Sequence, residues 1–208
     1  MGLQNRVDPL GNIVSVPQRG TLMGNRGGCL HDSARRLGRR RWVSKAWIAC
    51  VLDFRGRHRT IMTPGRYTEL FFLDEATALA AGHRPCFECR RGDARAFAQA
   101  WAKGNGLDAA PRAGEMDAVL HDERIGRGRL HPTHHLSGDD LPDGTMVLLG
   151  AAPHLFAAGA VRQWSFAGYG PPIPLPGGSV EVVTPPSVVR TLAGGYRPVL
   201  HPSAHRPA

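Results

Sequence analysis

The sequence has almost no lysine: Lys45 and Lys103 stand against 24 arginines. With abundant Ala, Gly and Pro, that imbalance points to a GC-rich coding bias, so arginine is read here as charge and not as special chemistry. Long apolar runs are also missing. None approaches the roughly 18 residues that a membrane-spanning helix needs, and Met1-Gly2-Leu3-Gln4-Asn5 opens no secretory signal. Cysteine is scarce, at positions 29, 50, 86 and 89, too few and too unevenly placed for a secreted disulfide framework. These absences predict a cytoplasmic protein with reduced, metal-bound thiols. The 208 residues, 42% hydrophobic, suffice for one sizeable core with a semi-independent second half.

Charge is divided unevenly along the chain. Residues 1–105 hold 18 Lys+Arg against 8 Asp+Glu, a net of +10, whereas residues 106–208 hold 8 against 9, a net of −1. A basic first half points to a polyanionic partner, most simply nucleic acid, with DNA placed ahead of RNA. The arginines expected to carry that contact are Arg35, Arg36, Arg39, Arg40, Arg41, Arg55, Arg57, Arg59, Arg90 and Arg91. A solvated basic face without a dedicated partner is the plainer alternative.

Local patterns predict the elements. Asn12–Val16 reads as strand after the Pro9-Leu10-Gly11 turn, and Gly24–His31 as a Gly-rich loop. Trp47–Phe54 and Arg59–Met62 flank Arg55-Gly56-Arg57 and predict a β-hairpin. Leu70–Leu73 is a short buried strand, and Asp74 caps a helix over 75–81 that Gly82 closes. Asp93–Lys103 is helical, with Phe97 and Trp101 on one face. Residues 104–114 read as a linker and 116–124 as a helix. A β-meander is expected over 145–183, and a helix from Pro185 or Pro186 to Gly194. Ala78–Pro85 and Thr191–Pro198 echo each other, which predicts a shared way of ending a helix.

The sharpest motif is Cys86-x2-Cys89, placed between a capped helix and a second, basic helix. Such a pair brings two sulfurs within reach of one tetrahedral Zn²⁺, and a following helix N-terminus favours thiolates. Cys29 and His31 form a Cys-x-His pair in the earlier loop. Loop, hairpin, thiol turn and helix follow the order of a treble-clef zinc site. Cys29, His31, Cys86 and Cys89 would then make a closed Cys3His shell. Cys50, inside Ile48-Ala-Cys-Val-Leu52, reads first as a small buried hydrophobe and is the substitute ligand.

Phe72-Leu-Asp-Glu-Ala-Thr-Ala-Leu-Ala-Ala-Gly-His-Arg-Pro-Cys-Phe-Glu-Cys-Arg-Arg91 resembles the end of the metal-binding domain of Ada-type alkylation-repair proteins. The resemblance implies zinc on Cys86 and Cys89, Gly82 as the helix stop, and Arg84-Pro85 as the turn that aims the thiols. Upstream, where the Ada pattern has a second cysteine pair, this chain has only Cys50 near and Cys29 further back. The segment from Gly65 onward also resembles a broad set of bacterial proteins, which implies a bacterial origin.

Other chemistry is weaker. Glu69, Asp74, Glu75 and Glu88 crowd the thiol motif, but Asp74 and Glu75 fit helix-start roles. His131, His134 and His135 could bind a second metal, and His58 could serve a ββα-type nuclease as base. Trp42, Trp47 and Tyr67 could stack on bases, with Trp47 better placed in a core. The sequence therefore predicts an α+β protein. Residues 1–105 form a zinc-stabilised, treble-clef or Ada-like basic module, and residues 106–208 a β-rich part of unassigned role. The leading function is nucleic-acid binding, in DNA repair or processing. The alternatives are a metal-dependent nuclease, a repair enzyme using Cys50 or Cys29 as nucleophile, or a protein-interaction module that meets an acidic protein.

Overall fold

The computed structural model describes residues 2–58, 60–126, 129–130 and 132–206. The fold is α+β. Strands β1 (Arg6–Val7), β2 (Ile13–Val14), β3 (Leu22–Asn25), β4 (Ile48–Cys50), β5 (Leu70–Phe72) and β6 (Arg84–Pro85) make one six-stranded sheet, ordered β2-β1-β5-β3-β4-β6. Helix α1 (Glu75–Ala80) lies between β5 and β6 in the chain, and α2 (Arg91–Gly104) and α3 (Ala113–Arg124) follow. After the short pair β7 (Ile125–Gly126) and β8 (Arg129–Leu130), strands β9 (His134–Ser137), β10 (Thr145–Leu149), β11 (Ala152–Ala157), β12 (Ala160–Ser165), β13 (Gly168–Pro174) and β14 (Ser179–Val182) form a second sheet. Its order is β13-β12-β11-β10-β14-β9, and all its pairings are antiparallel. Helix α4 (Pro186–Ala193) closes the series, starting on the proline that a first helical turn accepts. No described helix is long and apolar enough to cross a membrane.

The expected hairpin between 47–54 and 59–62 does not form. β4 is already paired on both edges, antiparallel to β3 and parallel to β6, so no edge remains for the later segment. The described residues between 51 and 63 instead form an irregular loop. The two echoing segments do share a helix ending. Gly82 (φ +75°) and Gly195 (φ +113°) occupy corresponding positions. The N–H groups of His83 and Tyr196 reach back to the carbonyls of Ala78 and Thr191 at 2.9 and 3.2 Å. This is the back-bonded cap that a glycine with positive φ permits.

α1 organises the core. All six of its residues are buried, as expected of a helix without a solvent face. Ala78 packs with Val7, Leu70 and Phe72; Ala76 and Ala80 with Met146, Leu155 and Trp164; Leu79 with Phe97, Met116 and Val188. Small side chains let three neighbours approach one helix. The core therefore runs across residue 105 without a gap. α2 and α4 cross closely because two glycines face backbone there. A Cβ on Gly104 would lie 1.9 Å from the Arg190 carbonyl oxygen, and one on Gly194 2.3 Å from that of Ala100.

Buried charged groups cluster beside this core. Asp74 caps α1 through the N–H and hydroxyl of Thr77, at 2.9 and 2.8 Å, and accepts from Tyr169 Oη and His201 N, both at 2.9 Å. Burial pushes its carboxyl above the usual range, against those donors. Glu75 accepts from Tyr196 Oη and Val199 N and pairs with Arg90 at 2.8 Å. Both acidic residues hold the C-terminal segment onto α1. Trp47, fully buried, carries two buried guanidinium groups, Arg26 at 4.0 Å and Arg124 at 4.1 Å from the ring centroid. Burial pulls both cations down to about 9, while the indole ring offsets part of that cost.

Candidate metal centre

The register of the first sheet brings three thiols together. β4 runs parallel to β6 with Ala49 opposite Pro85, so the next residues on each strand, Cys50 and Cys86, lie side by side. The Cys86 N–H bonds the Ala49 carbonyl at 3.0 Å, and the Arg90 N–H closes the turn on the Cys86 carbonyl at 3.0 Å. That turn folds Cys89 back toward Cys86. The three sulfurs all lie within 4.8 Å of one another. Thiolates on one tetrahedral ion sit about 3.8 Å apart, from metal–sulfur bonds of about 2.3 Å. The trio fits one such ion.

Its electrostatics also suit a cation. Cys50 as donor, with the N–H groups of Cys89 and Glu88, pulls the Cys86 thiol down to about 5. Cys50 is pushed up, first by donating to Cys86 and then by burial, and burial raises Cys89. Three like groups crowded together cannot all ionise alone, but a divalent ion neutralises them together. Three thiolates are a soft donor set, favouring zinc over magnesium or calcium.

The Cys-x-His pair lies elsewhere. β3 is antiparallel to β4, with Met23 opposite Cys50 and Asn25 opposite Ile48. Past Asn25 the chain therefore runs away from Cys50, beyond the start of β4, where a Cβ on Gly27 would meet Ser44. Cys29 and His31 are not part of the sulfur cluster. Cys29 Sγ donates to the His31 carbonyl at 3.2 Å. The His31 ring nitrogens are engaged by the Thr68 hydroxyl at 2.7 Å and the Thr63 carbonyl at 3.2 Å. Cys50, expected only as a substitute, is the residue that lies beside Cys86 and Cys89. Its signal in the sequence was weak, because a parallel contact between β4 and β6 leaves no local pattern.

A cavity of about 530 Å³ opens on the trio, lined also by Asn25, His58, Tyr67, Glu69 and Glu88. Apolar walls come from Ile48, Phe54, Ile61 and Phe71. That is the size and character of a small-ligand pocket. Glu69 is buried and accepts the Met62 N–H at 2.8 Å. Glu88 is exposed and pairs with Arg57 at 3.0 Å.

The basic residues divide. Arg35, Arg36, Arg39, Arg40, Arg55, Arg57 and Arg91 are exposed. Arg36 pairs with Asp32 at 3.0 Å. Arg41 is half-buried and donates to the Gly38 carbonyl. Arg90 is removed from the candidate interface, being buried and held by Glu75 and Asp93, each at 2.8 Å. Arg59 and His131 lie outside the described residues. His134 Nε2 donates to the Thr184 carbonyl at 2.9 Å, beside the end of β14. In comparisons with known proteins, the chain has no significant match to any family model, curated protein or solved structure.

Proposed function

We propose that this chain is a zinc-thiolate protein that binds nucleic acid, DNA ahead of RNA, through its basic first half. The observation that carries the metal assignment is the cluster of Cys50, Cys86 and Cys89 within 4.8 Å. Zinc there ties β4 to the turn that starts α2, and the order of strand, thiol turn and helix supports an Ada-like or treble-clef reading of the module. The nucleic-acid assignment is supported by the net +10 of residues 1–105 and by the exposed arginines of the 35–40 segment. A role in DNA repair or processing follows from the resemblance of residues 72–91.

The test uses the full chain. Purified protein should carry about one zinc, and its affinity for duplex DNA should fall steeply with salt as bound counterions are released. Replacing Arg35, Arg39 and Arg40 with Gln should flatten the logarithmic salt dependence by up to about three units. Affinity lost without any change of slope would count against a phosphate-contacting role, and zinc-free folded protein would count against the metal.

A second reading draws on the cavity. Thiols opening on about 530 Å³ of ligand-sized space suit a repair enzyme that uses Cys50 as nucleophile or a metal-dependent nuclease. Incubation with alkylated and plain DNA, followed by mass analysis of protein and DNA, separates these. Alkyl mass on the protein marks transfer to a thiol, shortened DNA marks cleavage, and neither leaves binding alone.

A further inference from the structure

Zinc in a closed thiolate site takes four ligands, and the trio supplies three. The cavity wall narrows the choice of a fourth. Glu69 is buried and accepts the Met62 N–H through Oε2 at 2.8 Å. Glu88 sits between the two thiols of the same turn and pairs with Arg57 at 3.0 Å. Either carboxylate would add a fourth negative charge to three thiolates. Tyr67 and Asn25 carry a phenol and a carboxamide, which are not the usual zinc donors. The remaining nitrogen donor on the wall is the imidazole of His58.

The path of the chain brings His58 to the wall of the cavity that opens on the trio. After Cys50 the backbone leaves β4 and reverses at Arg55-Gly56, with φ of +56° and +63°. The Arg57 N–H closes that turn on the Phe54 carbonyl at 3.2 Å. Arg57 then pairs with Glu88, in the middle of the Cys86–Cys89 turn, at 3.0 Å. His58 is thus the next residue after one tethered to the thiol turn. Its ring lies outside the sulfur cluster and is exposed, so ligation brings the loop tip inward.

We propose that His58 is the fourth ligand, making a Cys3His centre of Cys50, His58, Cys86 and Cys89. The proposal rests on the trio being a metal site. Neutral imidazole completes the tetrahedron without adding to the negative charge that three thiolates already bring. The short loop between Cys50 and His58 would then be fastened at both ends by one ion.

The full chain and its His58→Ala variant are loaded with Co²⁺ in place of Zn²⁺. Both should show sulfur-to-cobalt charge transfer, since the thiols remain. The variant should lose the tetrahedral d–d bands, release metal to a competing chelator more than about tenfold more readily, the upper decade seen when even an outer partner of a ligand is removed, and recover both on addition of imidazole. His58→Cys, which keeps a fourth donor, should retain tetrahedral binding. Uptake that brings the loop inward should also slow trypsin cleavage at Arg55 and Arg57 in the wild type but not in His58→Ala. An alanine variant equal to wild type in affinity and spectrum overturns the assignment of His58 alone. Loss that neither imidazole nor cysteine restores overturns it as well. Absent charge transfer in the wild type overturns the trio itself, a separate result.

Discussion

In the second sheet the strands run four to seven residues, and β10 to β13 follow one another through short turns. In the first sheet they run two to four residues and are gathered from positions 6 to 85, across the long connections between β3 and β4 and between β4 and β5. A meander gains many ladder bonds for little loop-closure entropy, whereas scattered short strands gain few bonds for much. The difference shows where the fold needs help beyond backbone pairing. The first sheet has the guanidinium groups around Trp47 where β4 begins and the thiol trio where it ends. Around Trp47 the two cations donate to the Gly11 and Leu120 carbonyls and lie over the indole ring. At the trio three similar groups meet one another, an arrangement that a metal ion resolves.

Removing the zinc proposed at the trio should break this contrast most widely. Apparent binding energies of structural zinc in small peptides reach about 10–16 kcal/mol, so even a fraction of that exceeds any single contact here. After chelation, or in Cys86→Ser, amide exchange should speed up in β4, β6 and the 86–90 turn while β10 to β13 stay protected. Equal loosening of both sheets would show that they open as one unit and that the metal is not the special support of the first.

The buried pair of Arg84 and Asp117 sharpens the charged side of the comparison. It joins β6 to α3 by two bonds of 2.9 and 2.7 Å, with both side chains almost fully buried. Asp117→Ala leaves a buried guanidinium without its carboxylate, which costs about 3–5 kcal/mol. Urea titration should show it as a lower midpoint with little change in slope. A loss under about 1 kcal/mol would mean that water reaches Arg84.

What the sequence made legible follows the same divide. Local signals announced α1 with its Asp74 cap, α2, α3, the strands β10, β11, β12 and β14, and α4, because caps, periodicity and turn glycines act within a few residues. The matching ends of α1 and α4 were visible as an echo for the same reason. The β4–β6 pairing joins residues more than thirty apart in parallel, which no short pattern encodes, and Cys50 was read first as core. Cys29 and His31 looked like ligands because Cys-x-His is a ligand spacing, but spacing does not say which way an antiparallel strand carries its ends. Arg90 reads as surface charge in the sequence, but Glu75, in the first turn of α1, reaches it from an earlier segment.

The crossing of α2 and α4 tests packing that involves neither charge nor metal. Gly194→Ala puts a methyl group where the Ala100 carbonyl oxygen sits, 2.3 Å from the new carbon. Two backbones must then separate, and overpacking of this kind costs about 1–3 kcal/mol. Thermal unfolding should fall while zinc content stays at the wild-type level, since the thiol turn lies at the other end of α2. Zinc lost together with stability would mean that the crossing positions the turn, tying the two regions more closely than their separate supports suggest.

The smallest effect belongs to Arg57 and Glu88. Both side chains are more than 60% exposed, and such pairs contribute about 0–1 kcal/mol because water screens them and ordering two long chains costs entropy. Glu88→Gln should therefore leave the unfolding midpoint within that range, and added salt should have no further effect on the variant. The pair lies at the trio, however, where position matters more than stability. Glu88→Gln should thus speed metal loss to a chelator while hardly moving the midpoint, the opposite of the result expected for Gly194→Ala. A variant that loses more than about 1 kcal/mol yet holds its metal as tightly as wild type would show that this contact supports the fold, and not the loop that carries His58.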